Sequence, residues 1–137
     1  MNSETISKII VHCAATIEGK EYDASDIDRW HRKRGWRKIG YHFVVKLDGT
    51  IETGRMVDEI GAHVKGYNRG SIGICYIGGL DKDKEPKDTR TEEQKDSLLV
   101  LLRTLKKMYP KADILGHREL ANRSCPCFDA REEYSCL

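Results

Sequence analysis

The chain has 137 residues, of which 39% are hydrophobic, and this is the usual size and composition of one compact domain. A formal net charge of +2 is too small to indicate nucleic-acid binding, and no stretch approaches the roughly 20 apolar residues of a membrane-spanning helix. We therefore expect a single domain over residues 1–137 that is monomeric and has neither nucleic acid nor a membrane among its partners.

The N-terminal sequence MNSETISKIIVHCAAT has no basic start, long apolar run or small-residue cleavage site, so it does not resemble a secretory signal. We therefore expect the protein to be cytoplasmic as synthesised. Its five cysteines are an odd number, which favours reduced thiols or metal ligands over a disulfide framework. Cys13 and Cys75 lie within apolar runs and are interpreted as small buried hydrophobic residues.

Strand and helix patterns alternate in the first half of the chain. Residues 8–14 are apolar and β-branched, which predicts a buried strand, with His12 at a position where a core residue is expected. A Thr-Ile-Glu-Gly loop follows. Residues 23–34 predict a helix, because the segment begins with acidic residues and ends with basic residues before a glycine. Residues 41–47 and 50–53, joined by Asp-Gly, predict a β-hairpin.

The second half of the chain predicts another buried strand, a loop and the longest helix. Residues 71–77 form an apolar run, and residues 80–90 are polar, contain a proline and predict an exposed loop. Residues 91–109 predict a helix that begins with a Thr-x-x-Gln capping box, carries leucines along one face and ends before a proline. Residues 112–115 predict a last short strand, and residues 129–134 predict a terminal helical turn.

The order of these elements predicts the fold class. Strands that alternate with helices, together with one hairpin, favour a single α/β domain in which helices flank a central mixed β-sheet. The sequence shows no internal repeat, phosphate-binding loop or dinucleotide fingerprint, which argues against nucleotide chemistry.

Three polar residues are candidate metal ligands. His12 lies in the first strand, His117 follows the last strand, and Cys125 comes eight residues later. Two imidazoles and one thiolate are good zinc ligands and leave one tetrahedral position open, which a catalytic zinc ion needs. Their wide spacing is not a compact motif, so a structural zinc site or a plain thiol protein stays open, with Cys127 as a competing thiol.

Four sequence blocks occur in a characteristic order, from about Ile9 to Asp129: IIVHCAAT, RWHRKRGWRKIGYHFVVKLDGTIETGR, GAHVKGYNRGSIGICYIGG and GHRELANRSCPCFD. In this order they resemble the type 2 N-acetylmuramoyl-L-alanine amidase family, which includes small phage endolysins and the peptidoglycan recognition proteins. The resemblance implies an α/β fold with a zinc site in a surface cleft.

The resemblance also implies roles for individual residues. The family's ligands for one zinc ion correspond to His12, His117 and Cys125, and its catalytic tyrosine corresponds to Tyr41. A second catalytic position, a lysine in the phage members, corresponds to Arg123. Because a guanidinium group stays charged, we expect Arg123 to stabilise an oxyanion or bind a stem carboxylate rather than transfer a proton.

The GAHVKGYN block implies one border of a substrate cleft. Four of its side chains offer donors and acceptors suited to a sugar and a peptide stem, although a polar surface loop would show the same composition. The implied substrate-binding residues are His63, Lys65, Tyr67 and Asn68. The two remaining histidines, His31 and His42, are interpreted as structural or surface residues.

The implied activity is zinc-dependent hydrolysis of the amide bond between N-acetylmuramic acid and L-alanine in bacterial peptidoglycan. An endolysin made in the cytoplasm would act on the cell wall after the membrane is permeabilised. One alternative is a peptidoglycan-binding module without catalysis, which the presence of Cys125 disfavours. Another is a structural zinc protein in which Cys127 completes the coordination sphere.

Overall fold

Within residues 6–137, the part of the chain that the computed structural model describes, the fold contains seven β-strands and three α-helices. In chain order they are β1 (Lys8–Cys13), β2 (Thr16–Ile17), α1 (Ala24–Lys33), β3 (Phe43–Val45), β4 (Ile51–Thr53), β5 (Ser71–Tyr76), β6 (Gly79–Leu80), α2 (Glu92–Met108), β7 (Asp113–Gly116) and α3 (Ala130–Glu133). Residues 1–5 of the expected domain lie outside the described residues. None of the described helices is long and apolar enough to cross a membrane.

Five strands form the central sheet, in the order β4-β3-β5-β1-β7. The pairs β3–β5, β5–β1 and β1–β7 are parallel, and β4 is antiparallel to β3. The register pairs His12 of β1 with Cys75 of β5, and Cys75 with Val44 of β3, so these residues form one row across the sheet. The predicted central mixed sheet is confirmed.

The central strands form because their residues are apolar and both faces of the sheet are covered. Every position of β5 is buried, as is every position of β1 after Lys8. His12 and Ser71 are polar residues at buried positions in these strands. Such residues need hydrogen-bond partners, because an unpaired polar group in a core costs free energy.

Helices cover the two faces of the sheet. The capping box of Thr91 and Gln94 begins α2 as predicted, and α2 lies over the larger core with its buried leucines Leu98, Leu101, Leu102 and Leu105. On the other face, Ile27 of α1 packs in a smaller core with Val44 and Cys75. Because neighbouring residues of a strand point to opposite faces, the row containing His12 lies on the α1 face.

Two very short strands were missed by the sequence prediction. β2 lies where a loop was expected after β1, and it pairs in parallel with β6 to form a second, two-stranded sheet. Each of these strands has two residues, which is too few to produce a periodic pattern. The first hairpin strand is also shorter than predicted, since it covers Phe43–Val45 rather than residues 41–47.

Arg90 differs from the prediction of an exposed loop over residues 80–90. Its side chain is only 2% exposed, and its guanidinium carbon lies 3.4 Å from the centroid of the Phe128 ring. The guanidinium also forms ion pairs with Asp88 and Glu133. These contacts join the segment before α2 to α3, and they come from partners that local sequence cannot indicate.

Candidate metal centre

The candidate ligands His12, His117 and Cys125 come together at one edge of the sheet. β1 and β7 are parallel neighbours, so their carboxyl ends meet there, and His117 begins a short 3-10 helix directly after β7. Cys125 lies in the loop that follows. The nitrogen and sulfur ligand atoms of the three residues all lie within 4.8 Å of one another. The structure therefore brings together the three side chains that the sequence singled out.

The two imidazoles face each other through the same ring atom. The Nδ1 atoms of His12 and His117 are 3.2 Å apart, and the ring centroids are 4.7 Å apart. His12 is 1% exposed, whereas His117 and Cys125 are partly exposed. The cluster thus has a buried base formed by His12 and a side that solvent reaches.

Three hydrogen bonds fix the segment that carries Cys125. The amide of Cys13 donates to the Sγ atom of Cys125 over 3.1 Å, and the amide of Arg118 donates to its carbonyl oxygen over 2.8 Å. The hydroxyl of Tyr76 donates to the carbonyl oxygen of Pro126 over 2.7 Å. The Cys13 amide therefore holds the Sγ atom of Cys125 next to the end of β1.

The electrostatic environment keeps the imidazoles neutral. Burial lowers the pKa of His12 well below 6.5, and repulsion from His63 and His117 lowers it further. Burial also lowers the pKa of His117, as does the charge of Arg123. A metal ion binds the neutral form of imidazole, so these shifts suit a ligand role.

The donor set fits a zinc ion with an open coordination position. Zinc accepts nitrogen and sulfur ligands in tetrahedral sites, and three protein ligands leave the fourth position for water or substrate. Cys127 does not join the three ligand atoms, since its Sγ donates to the carbonyl oxygen of Gly79 over 3.3 Å and lies 3.9 Å from the Sγ of Cys13. This arrangement argues against Cys127 as a fourth ligand of a closed structural site.

Tyr41 lies beside the cluster, just before β3 rather than within it. Its ring centroid is 5.1 Å from that of His12 and 5.5 Å from that of His31. Burial raises the pKa of Tyr41 well above 10, and the nearby thiols of Cys75 and Cys125 raise it further. The phenol is therefore protonated at neutral pH and can donate a hydrogen bond next to the candidate ligands.

Arg123 is an exposed residue in the loop before Cys125. Its backbone amide donates to the carbonyl oxygen of Ala121 over 2.9 Å, which bends the loop locally. Its charge acts on His117, whose pKa it lowers together with burial. The guanidinium thus provides positive charge at the solvent side of the cluster.

The four implied substrate-binding residues lie in the loop over residues 61–70 and form two pairs that differ in exposure and contacts. Lys65 and Tyr67 are exposed, with Tyr67 at 41%. By contrast, the Oδ1 atom of Asn68 accepts from the amides of His63 and Val64, each over 2.8 Å. The Nδ1 atom of His63 lies 2.8 Å from the Nε2 atom of His12, so His63 contacts a candidate ligand directly.

The other two histidines have structural roles in the described part of the chain. His42 is fully buried, with its Nε2 donating to the carbonyl oxygen of Glu59 over 2.8 Å and its Nδ1 accepting from the amide of Gly73 over 3.0 Å. The Nδ1 of His31 accepts from the amide of Gly40 over 2.9 Å. Both side chains hold main-chain groups of the α1 side of the sheet in place.

Comparison with known proteins shows the family of the chain. The sequence profile described as N-acetylmuramoyl-L-alanine amidase matches residues 2–128. The chain belongs to this amidase family. The expected family is therefore confirmed.

Relatives within the amidase family match most of the chain. The endolysin of Escherichia phage T7 is 43% identical over 129 residues, which cover 93% of this chain and 85% of the relative. Among solved structures, the N-acetylmuramoyl-L-alanine amidase LysC from Clostridium intestinale has a TM-score of 0.78 at 31% identity and covers 96% of this chain and 84% of its own. Drosophila PGRP-LB has a TM-score of 0.78 at 30% identity, with 95% and 79% covered.

Two residues that the sequence analysis did not single out contact neighbours of the candidate ligands: Ser71 Oγ lies 3.2 Å from His63 Nε2, and the hydroxyl of Tyr76 donates to the carbonyl oxygen of Pro126. Ser71 and Tyr76 are the first and last residues of β5, and both are fully buried. Their signal in the sequence is a hydroxyl group in an apolar strand. The partners of these hydroxyl groups depend on tertiary structure, so the sequence alone does not identify them.

Proposed function

We propose that the chain is a zinc-dependent N-acetylmuramoyl-L-alanine amidase that hydrolyses the amide bond between N-acetylmuramic acid and L-alanine in bacterial peptidoglycan. The observation that carries this proposal is the cluster of His12, His117 and Cys125 in a member of the amidase family. These ligands suit zinc and leave one coordination position open. The endolysin and amidase relatives support the same activity and substrate.

His12, His117 and Cys125 would hold one zinc ion, which when bound supplies Lewis acidity that activates water and polarises a carbonyl group. The residues of the chain prepare the ligands for this role. Burial keeps His12 neutral, and the amide of Cys13 donates to the Sγ of Cys125 over 3.1 Å and so positions it. The three ligand atoms already lie within 4.8 Å of one another, which suits the site to bind a cation.

Tyr41 is the proposed catalytic donor. Its raised pKa keeps the hydroxyl protonated at neutral pH, and its ring contacts those of both His12 and His31. A phenol in this position can orient the attacking water or relay a proton to the leaving amine. Amide hydrolysis needs such a donor because an amine anion is a very poor leaving group.

Arg123 is the proposed electrostatic residue. A guanidinium group carries a permanent charge and a planar set of donors, so it stabilises an oxyanion or binds a stem carboxylate without exchanging protons. Its exposed position in the loop before Cys125 and its effect on the pKa of His117 support this role.

The exposed pair Lys65 and Tyr67 is proposed to contact the sugar or the peptide stem. An ammonium group pairs with a stem carboxylate, and an exposed phenol ring packs against a sugar face while its hydroxyl forms hydrogen bonds. His63 and Asn68 lie in the same loop. Asn68 holds the main chain of the loop in place, and His63 contacts His12.

The phage endolysin relatives support a proposal about where the chain acts. Like an endolysin, it would accumulate in the cytoplasm and reach the peptidoglycan after a separate agent permeabilises the membrane. We further propose that a single chain is sufficient for activity, because all of the proposed site residues belong to one chain.

The test is an incubation of the zinc-loaded protein with purified peptidoglycan, with and without a chelator. The amidase proposal expects new L-alanine amino groups that appear only without the chelator and return when zinc is restored. Binding to peptidoglycan without release of these groups would favour the recognition module instead. If the protein neither binds peptidoglycan nor releases these groups, both proposals are contradicted and a structural metal site is favoured.

A further inference from the structure

A chain of hydrogen-bond contacts links His12 to the main chain through two further side chains. The Nε2 atom of His12 lies 2.8 Å from the Nδ1 atom of His63. The Nε2 atom of His63 lies 3.2 Å from the Oγ atom of Ser71, which lies 2.7 Å from the carbonyl oxygen of Tyr67. Ser71 is fully buried, so water does not replace these partners.

The direction of each hydrogen bond follows from the carbonyl end of the chain. The carbonyl oxygen of Tyr67 can only accept, and the 2.7 Å contact between two oxygen atoms needs a hydrogen atom, which the hydroxyl of Ser71 alone supplies. The hydroxyl has no second hydrogen, so its oxygen accepts from His63 at Nε2. The hydrogen of His63 is therefore on Nε2.

The tautomer of His12 follows from that of His63. A neutral imidazole carries one hydrogen, so the Nδ1 atom of His63 is an acceptor and the Nε2 atom of His12 must donate to it. The lone pair of His12 is then on Nδ1, the atom that faces the Nδ1 of His117 at 3.2 Å. This is the side on which the ligand atoms converge.

We propose that His63 is a positioning residue which, supported by Ser71, holds His12 in the tautomer that presents Nδ1 to the metal ion. The inference rests on the proposed metal site and extends it to residues outside the ligand set. A partner on the second ring nitrogen of a metal-ligating histidine fixes ring orientation and raises ligand basicity. Because both of its ring nitrogens are engaged, His63 has neither left to bind a sugar or peptide.

The main chain around His63 leaves the ring little freedom. Gly73 of β5 lies directly beneath it, and a Cβ atom at Gly73 would come within 2.6 Å of the ring. The Oδ1 atom of Asn68 accepts from the amides of His63 and Val64, each over 2.8 Å, which fixes the loop. A ring held from below and at its base is suited to orienting another side chain.

The first test measures histidine tautomers in the metal-free protein by ¹⁵N NMR of the imidazole rings near neutral pH. We expect His12 and His63 each to carry hydrogen on Nε2 and a lone pair on Nδ1. In Ser71→Ala, which removes the distant acceptor without touching His12, we expect a mixture of tautomers at His63. Hydrogen on the Nδ1 of His12 in the unaltered protein would overturn the proposal.

The second test measures zinc affinity by competition with a chelating dye, without any substrate. We expect His63→Leu to bind zinc about 10- to 100-fold more weakly. His63→Asn should recover part of this loss, because its amide oxygen can accept from His12 near the position of Nδ1. Ser97→Ala is the matched control and should not change affinity, since Ser97 makes the same kind of bond, to the carbonyl oxygen of Gly49 over 2.6 Å.

A folded His63→Leu protein with unchanged zinc affinity would contradict the positioning role. If His63→Leu does not fold, Ser71→Ala decides the question. Unchanged tautomers and unchanged zinc affinity in Ser71→Ala would also contradict the positioning role. Both tests omit peptidoglycan, so they are independent of the amidase assay. If the tautomers are as expected but the protein releases no L-alanine amino groups, the amidase proposal is overturned and the positioning role is not.

Discussion

The hydroxyl of Tyr76 donates a hydrogen bond to the carbonyl oxygen of Pro126, 2.7 Å away, and so joins β5 to the segment that carries Cys125. Both residues are buried. The Tyr76 ring also packs against Phe128, with 6.2 Å between ring centroids. The central sheet thus supports the loop from which one candidate ligand projects.

Tyr76→Phe should lower the free energy of unfolding by about 1–3 kcal/mol, because it leaves the buried carbonyl oxygen of Pro126 without its partner while keeping the ring. Chemical denaturation of the metal-free protein measures this change. Tyr67→Phe removes a hydroxyl from an exposed tyrosine and should stay within about 0.5 kcal/mol of the unaltered protein. Equal stability of both variants would show that the Tyr76 bond contributes nothing.

Tyr41→Phe should reduce kcat by about 10²-fold or more with zinc still bound, because the phenol is the proposed donor next to His12. Amide release from peptidoglycan, together with metal content, measures both quantities on one sample. Near-normal kcat in a zinc-loaded Tyr41→Phe protein would remove Tyr41 from the mechanism. Tyr22→Phe, which alters a tyrosine packed on Trp30 of α1, is the matched control.

Arg123→Ala should reduce kcat/KM by about 10²-fold, whereas Arg123→Lys should retain most of the activity, because the proposed role needs positive charge rather than proton transfer. Arg118, five residues earlier and paired with Asp129 at 3.8 Å, supplies the control variant Arg118→Ala. A loss of similar size in the lysine variant would indicate that the planar guanidinium, and not charge alone, is required. Full activity of Arg123→Ala would contradict the assignment.

His31 should make the stability of the fold depend on pH. Its pKa is lowered from 6.5 to about 4, mainly by burial. The charges of Arg34 and Arg55 also lower this pKa, whereas the charge of Asp28 raises it. Between pH 6.5 and about pH 4 the unfolded chain binds more protons than the folded chain, so the free energy of unfolding falls as the pH decreases. The contribution of His31 is complete above pH 6.5 and is lost by about pH 4, a change of about 3 kcal/mol.

A matched variant isolates this contribution from that of the other histidines. His31→Asn keeps an acceptor for the amide of Gly40 but cannot take up a proton in this range. We expect the unaltered protein to lose about 3 kcal/mol more than His31→Asn between pH 7 and pH 4, measured by denaturant unfolding in excess chelator. Parallel pH profiles for the two proteins would contradict the shifted pKa of His31.

The sequence predicts most of the fold because the long elements carry local signals. The capping box of Thr91 and Gln94 marks the start of α2, and the continuous apolar runs mark β1 and β5. The strands β2 and β6 lack any such signal, since two residues pair only because the larger sheet brings them together. Their existence is a tertiary effect.

The site was predictable to a similar extent. Residue chemistry and the family resemblance identify His12, His117 and Cys125, which the fold brings together. The link from His12 to His63 joins residues 51 positions apart, and its continuation to Ser71 depends on the loop bringing the ring over β5. No local pattern encodes these contacts, so the sequence indicates His63 only as an implied substrate-binding residue.

The most direct test of the account measures bound zinc and released L-alanine amino groups in parallel for the unaltered protein, Cys125→Ser and Cys127→Ser. We expect one zinc ion and full activity for the unaltered protein and for Cys127→Ser, whose Sγ is directed at Gly79. Cys125→Ser should bind zinc weakly and release no amino groups. Undiminished activity of Cys125→Ser, or activity of the unaltered protein after complete removal of zinc, would contradict the account.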